Sequence, residues 1–236
     1  MTNAVLLNNI DHKDLRIVTR RGAVYGDDVM TAVTFPDEFR NIQACYPIVF
    51  HKSADGGAFH PFALLGFKEG QNLFLGPDGW DAPYLPLSVE REPFLIGLAD
   101  GEMVIHVDLD SPRVGATEGE LVFLPHGGTT EFLDRVNSML LAIHDGLGRA
   151  SEFVAAMVEN DLLESFVLDV ELDDGSQNRL IGFHTINEER LGALGGDVLE
   201  RLSKAGHLQA AYMAIASLSN LRHLIDRQNR LNAGAV

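Results

Sequence analysis

The chain has 236 residues, 46% of them hydrophobic and 22% charged, which is the composition of an ordinary globular protein. Its net charge of −16 is spread over both halves and leaves no concentrated basic surface, so we expect neither nucleic-acid binding nor attraction to anionic membranes. Cys45 is the only cysteine, which excludes an intrachain disulfide and a multi-cysteine metal site.

Targeting signals are not evident in the sequence. The first residues, MTNAVLLNNI, lack a basic leader, a long apolar run and a small-residue cleavage site. No apolar stretch reaches the roughly 20 residues that span a bilayer, so we expect no membrane insertion. These features predict a cytoplasmic location, with export by an atypical route left open.

The first half of the chain predicts strands separated by turns. Apolar or alternating runs occupy residues 46–52, 61–67, 72–75, 94–98, 102–108 and 120–124. The Asp100-Gly101 pair between two of these runs is typical of a hairpin with a type I′ turn. We therefore expect an antiparallel, meandering sheet.

The second half predicts helices around one hairpin. Thr130 is positioned to cap a helix that Gly146 and Gly148 weaken, with Ser151 starting a shorter helix after them. A hairpin is expected from 166–172 and 179–186, followed by helices that Asn187 and Asp197 cap and by a last helix over 208–225. The fold class is therefore α+β, with a strand-rich portion at 1–127 and a portion of helices plus a β-hairpin at 128–236, packed together as one domain.

A proline-spaced segment at 72–94 carries the only tryptophan. Its four prolines fix their own φ angles and bias the preceding residues away from helix, so no helix is expected to cross it. One interpretation makes its aromatic residues the end of a hydrophobic core, and the other makes them the anchors of a binding surface. The candidate binding residues are Trp80, Tyr84, Arg91 and Phe94.

Several segments resemble the SapC family of bacterial proteins, and together they span nearly the whole chain. They are LLNNIDHKDLR at 6–16, FPDEFRNIQACYPIVF at 35–50, ALLGF at 63–67, NLFL at 72–75, the Trp80, Tyr84-Leu85-Pro86 and Arg91-x-Pro93-Phe94 positions, INEERLGAL at 186–194 and GHLQAAYMAIASLSNL at 206–221. The resemblance implies an association with surface layers by name, and relatives encoded near outer-membrane receptors, cupin-like proteins and flavin-dependent halogenases. The resemblance implies a second basic residue at the position of Glu90, and the acidic residue found there weakens any shared anion-binding role of the segment.

One pair of residues has a metal-ligand spacing. His106 and Asp108 form the His-x-Asp half of a non-haem iron site, for which His184 or His126 would supply the second histidine. The alternation around them predicts a strand that places both on one face, where they are otherwise the polar members of a solvated surface. No hydrolase, nucleotide-binding or dinucleotide-binding motif accompanies them, so no cofactor is expected.

These patterns favour a non-catalytic accessory or interaction protein of the SapC family, linked to a surface-layer or outer-membrane process. A metal-dependent enzyme using His106 and Asp108 is the first alternative. The second is a small-molecule binder using the region of Trp80, Tyr84 and Arg91. The expected partner is an unidentified protein or small molecule, and the oligomeric state is left open.

Overall fold

The computed structural model describes residues 3–53, 56–99 and 101–234. The strands in this part of the chain are β1 (Ala4–Leu6), β2 (Arg16–Ile17), β3 (Thr31–Val33), β4 (Ile48–Lys52), β5 (Phe59–Leu64), β6 (Leu75–Gly76), β7 (Gly79–Trp80), β8 (Phe94–Ala99), β9 (Glu102–Asp108), β10 (Val114–Gly115), β11 (Glu120–Leu121), β12 (Leu163–Glu171) and β13 (Gln177–Ile186). The helices are α1 (Phe39–Ile42), α2 (Leu87–Glu90), α3 (Glu131–Glu159), α4 (Glu188–Gly192), α5 (Gly196–Lys204), α6 (His207–Ser217) and α7 (Asn220–Gly234). The α+β class is confirmed.

The contacts of the chain divide it into two compact units. The first comprises the described residues up to Asp27, Leu75–Trp80 and Leu87–Asp145. The second comprises Asp28–Phe74, Asp81–Pro86 and the described residues from Gly146 onward. The division of one domain at residue 127 stays a prediction.

The first unit contains two three-stranded sheets, of order β1-β9-β8 and β10-β2-β11, and the β6-β7 pair. The hairpin expected around residue 101 is confirmed, because β8 pairs antiparallel with β9 from Phe94–Val107 to Ala99–Glu102. Gly101 has a φ of 84°, as a tight turn requires, while Asp100 lies outside the described residues. The core of this unit joins the sheets to the first half of α3 through Ile17, Phe94, Val107, Val122, Phe123, Leu133, Val136 and Leu140.

The second unit is built on a five-stranded antiparallel sheet of order β12-β13-β4-β5-β3. The predicted second hairpin is confirmed, but it does not follow a meander. Its strand β13 pairs with β4, through Phe183–His51 and His184–Phe50. The meander predicted for the first half of the chain is wrong in this sheet, because β3 lies beside β5 and not beside β4.

The predicted break in α3 is wrong, because α3 is one continuous helix of 29 residues. The predicted Thr130 cap is confirmed, since its hydroxyl accepts from the Leu133 amide at 3.2 Å. Gly146 is buried where a Cβ would collide with the Phe35 ring, so this glycine permits close packing and does not end the helix. The helix continues because it has an apolar stripe to bury. In the second unit Phe153 packs edge-on against Phe39, with ring centroids 5.8 Å apart.

Three other helix predictions need correction. Asp197 lies in the first turn of α5, whose N-cap is Gly195. The last predicted helix is in fact two helices, α6 and α7. At the end of α6 the Ser217 hydroxyl donates to the Ala214 carbonyl at 2.5 Å and accepts from the Ile48 amide at 2.7 Å. Such side-chain hydrogen bonds compete with those of the helix backbone. In the segment expected to exclude helix, Leu87–Glu90 forms one short turn directly after Pro86, a position where proline is tolerated.

The Asn187 cap is confirmed, its side chain accepting from the Arg190 amide at 2.8 Å. None of the helices in the described part of the chain is long and apolar enough to cross a lipid bilayer.

Candidate functional site

An apolar ladder runs along one face of the β8–β9 hairpin. It consists of three directly opposed pairs, which are, from the buried end outward, Phe94–Val107, Ile96–Ile105 and Leu98–Met103. The first pair lies in the core of the unit and the second is half-buried. Leu98 is 73% exposed and Met103 is 46% exposed, so the ladder extends out of the core into solvent. An isolated exposed apolar residue is ordinary, whereas a row that continues the core outward is a candidate contact surface.

Arg91 holds the buried end of this hairpin. Its guanidinium donates to the Phe94 carbonyl at 2.6 Å and lies 3.0 Å from the Glu92 carboxylate. The Phe94 amide in turn donates to the Arg91 carbonyl at 2.8 Å. Two of the predicted binding residues therefore lie together, with Arg91 fixing the start of β8 and Phe94 buried against Phe132.

Trp80 lies in the first unit as well, and its indole is half-buried. It ends the short β6–β7 hairpin, paired with Leu75. The preceding Gly79 lies beside the Arg21 backbone and has a φ of 108°, a backbone conformation that residues with a side chain rarely adopt. The hairpin is thereby placed next to the polar cluster that follows.

Arg113 is the largest fully buried side chain of the described residues, with 1% exposure. Its guanidinium donates to the carbonyls of Val18 at 3.0 Å and Arg20 at 2.9 Å, and to the Asp27 carboxylate at 2.5 Å. The Tyr25 ring lies 5.5 Å from its guanidinium carbon, within cation–π range. Nearly every polar atom of this side chain is satisfied, and Nε is the exception within the described residues.

Asp27, 2% exposed, is the anion of this cluster. One carboxylate oxygen accepts from Arg113 and lies 3.4 Å from Arg21, and the other accepts from the Gly22 amide at 2.8 Å. Such a buried charge is tolerated only when paired and hydrogen-bonded. We call Arg21, Asp27 and Arg113 the ion cluster.

Arg21 connects the ion cluster to the proline-spaced segment. Its guanidinium donates to the carbonyls of Val89 at 3.1 Å and Glu90 at 3.2 Å, at the end of α2. Burial lowers the pKa of Arg21, and the neighbouring Arg113 charge lowers it further while Asp27 opposes the shift. This cluster could not be predicted from the sequence, because Asp27 and Arg113 are 86 positions apart and neither belongs to a motif.

Tyr84 lies in the second unit. Its hydroxyl donates to the buried Glu38 carboxylate at 2.9 Å, which also accepts from the Thr34 hydroxyl at 2.7 Å. Its backbone carbonyl accepts from the Tyr46 hydroxyl. These bonds tie Tyr84 into the packing of its own unit.

His106 and Asp108 lie on strand β9, as predicted. The His106 ring covers Gly97 on β8, where a Cβ would collide with it, and its Nδ1 is buried without a hydrogen bond in the described part of the chain. One Asp108 oxygen accepts from the amides of Asn3 at 2.9 Å and Asp110 at 3.1 Å, which closes the turn after β9. Among residues 3–53, 56–99 and 101–234, no three His, Cys, Asp or Glu side chains are grouped as a metal site.

Together these features define an α+β protein whose first unit has a partly exposed apolar hairpin face and a buried ion cluster. The SapC family model matches residues 7–224 of the 236. This chain therefore belongs to the SapC family. No curated protein and no solved structure gives a significant match.

Proposed function

We propose that this SapC-family chain is a non-catalytic accessory protein that binds another protein through the exposed end of the β8–β9 hairpin. The ladder ending at Leu98 and Met103 carries the proposal. Within the described chain the pair continues a core face into water, and burial against an apolar partner surface would remove this unfavourable exposure. The link to a surface-layer or outer-membrane process rests on the family name.

Charged groups of the same unit support a non-catalytic role. Asp27, Arg91, Arg113 and Asp108 each direct their charged atoms at partners within the chain. A catalytic acid, base or nucleophile has to reach a substrate atom instead. Arg91 and Phe94 support the hairpin from its buried end, while Trp80 remains a proposed contact residue.

The test is affinity capture from native cells with the double variant Leu98→Ser and Met103→Ser. Losing two contact side chains of an interface centre should reduce recovery of the specific partner by at least about tenfold. Val24→Ser is the matched control, since Val24 belongs to the same unit and is 77% exposed but is not part of the ladder.

Circular dichroism and the urea midpoint should be unchanged in all variants, because the substituted side chains are exposed in the folded chain. Undiminished recovery by the double variant would contradict the proposal. Equal loss with Val24→Ser would contradict it as well.

A further inference from the structure

A pocket of about 220 Å³ lies beside α7 in the second unit. Its apolar lining consists of Ala44, Cys45, Phe74, Ala82 and Pro83. Its polar lining comes from one helix face and consists of His223, Asp226, Arg227 and Arg230. We call this cavity the α7 pocket, and the proposed function does not involve it.

One of its cations is already neutralised. The Arg227 guanidinium lies 4.4 Å from the centroid of the Phe74 ring, and it donates to the Asp81 carboxylate at 2.7 Å and to the Asp81 carbonyl at 2.8 Å. A guanidinium that is stacked and hydrogen-bonded in this way is held in place, and its charge is already paired.

Two further charges of the α7 pocket have no such partner. In the part of the chain that the structure describes, neither Asp226 nor Arg230 forms an ion pair, although their spacing of four positions places them on one helix face. Their attachment points are one helical turn, about 6 Å, apart along the axis. The pocket therefore offers one free anion and one free cation over an apolar floor.

The helix that carries these charges is held in a fixed rotation. On its other side the buried Gln228 accepts from the Gln71 amide at 2.7 Å and donates to Asn232 at 2.7 Å. Asn232 continues the chain of bonds to the Asp174 carboxylate at 2.7 Å. These hydrogen bonds therefore fix which face of α7 lines the pocket, whether or not a ligand is bound.

We propose that the α7 pocket binds a small zwitterion, namely an α-amino acid with an apolar side chain. Asp226 would bind its ammonium group and Arg230 its carboxylate, with the side chain against Phe74 and Pro83. With Arg227 neutralised by Asp81, the remaining Asp226 and Arg230 charges sum to zero. A ligand of matching zero net charge pairs with both, whereas a simple anion or cation pairs with only one of these exposed side chains and meets a like charge at the other. The volume suits a molecule of this size rather than a nucleotide.

Cys45 provides a direct readout, because it lines the α7 pocket and is the only cysteine of the chain. Burial raises the pKa of its thiol, so alkylation by iodoacetamide should be slow enough to follow. A ligand seated on the apolar floor would slow it further. The probes are L-leucine, L-leucinamide, which lacks the carboxylate, and N-acetyl-L-leucine, which lacks the ammonium group.

In the unaltered protein L-leucine should protect Cys45, and each analogue should need about tenfold higher concentration for the same protection, because one charge-assisted bond is lost. Asp226→Asn should make leucine and N-acetyl-leucine equivalent. Arg230→Gln should make leucine and leucinamide equivalent. Arg222→Gln is the matched control, since Arg222 is exposed on α7 and does not line the pocket, and it should retain the full preference.

Protection by none of the probes would overturn the proposal. Equal protection by leucine and N-acetyl-leucine in the unaltered protein would indicate a simple anion site and overturn it too. Equal protection by all three would indicate an apolar cleft only, with the same consequence. Alkylation of the unfolded chain in urea, at one common rate for all variants, controls for effects on the thiol reaction itself.

Discussion

Two regions of the first unit invert the usual distribution of residues between interior and surface. The ion cluster places Asp27 and Arg113 in the interior. The end of the β8–β9 hairpin places Leu98 and Met103 in solvent. Buried charge and exposed apolar pairs are the two arrangements in a folded protein that call for an explanation.

The two regions differ in whether the chain itself supplies that explanation. The Asp27 carboxylate accepts from Arg113 at 2.5 Å and from the Gly22 amide at 2.8 Å, so groups of the same chain satisfy the buried charge. Within the described residues, Leu98 and Met103 have each other as the outermost pair of the ladder and are exposed beyond it. The first region is therefore explained by folding, whereas the exposure of the second is the basis of the proposed partner contact.

The largest expected effect concerns the ion cluster. Arg113→Ala would leave Asp27 buried beside the more distant Arg21, and losing one member of a buried ion pair lowers the free energy of unfolding by about 3–5 kcal/mol. Urea denaturation would measure it. Arg20→Ala is the control, because its pair with Glu118 is exposed, and it should change the free energy of unfolding by less than about 1 kcal/mol. Similar losses for both variants would mean that the cluster does not support the fold.

A smaller effect on the free energy of unfolding is expected at two glycines of α3, one packed against a ring and the other open to solvent. At Gly146 a Cβ would collide with Phe35, so Gly146→Ala should lower the free energy of unfolding by about 1–3 kcal/mol through overpacking. At Gly148 nothing lies within 4 Å of the added Cβ. Gly148→Ala should therefore raise the free energy of unfolding by about 0.5–1 kcal/mol through helix propensity. A thermal or urea melt that gives both variants the same sign would contradict the packing of α3 on Phe35.

Local patterns predicted one hairpin turn and two helix caps. The hairpin of β8 and β9 follows from alternation and a short turn, and the caps at Thr130 and Asn187 follow from residue type and position. The tendency of Gly146 to break a helix was outweighed by close packing, which depends on Phe35 more than 100 positions away.

Features that join distant residues could not be predicted. The pairing of β13 with β4 requires knowing which sheet edge the hairpin meets. The ion cluster and the α7 pocket depend on which charges find partners in space. Arg227 and Arg230 illustrate this, because both lie on α7 and, among the residues that the structure describes, only Arg227 forms an ion pair, with Asp81. Phe94, one of the predicted binding residues, lies at the buried end of the ladder whose exposed end the sequence reading did not single out.

Partner binding by the hairpin is tested most directly by photocrosslinking in native cells from a benzophenone amino acid at position 98, with position 24 as a similarly exposed control in the same unit. One discrete adduct is expected from position 98, together with its loss when Met103 is changed to Ser and no such adduct from position 24. The same adducts from both positions, or none from position 98, would contradict a partner-binding role for the hairpin.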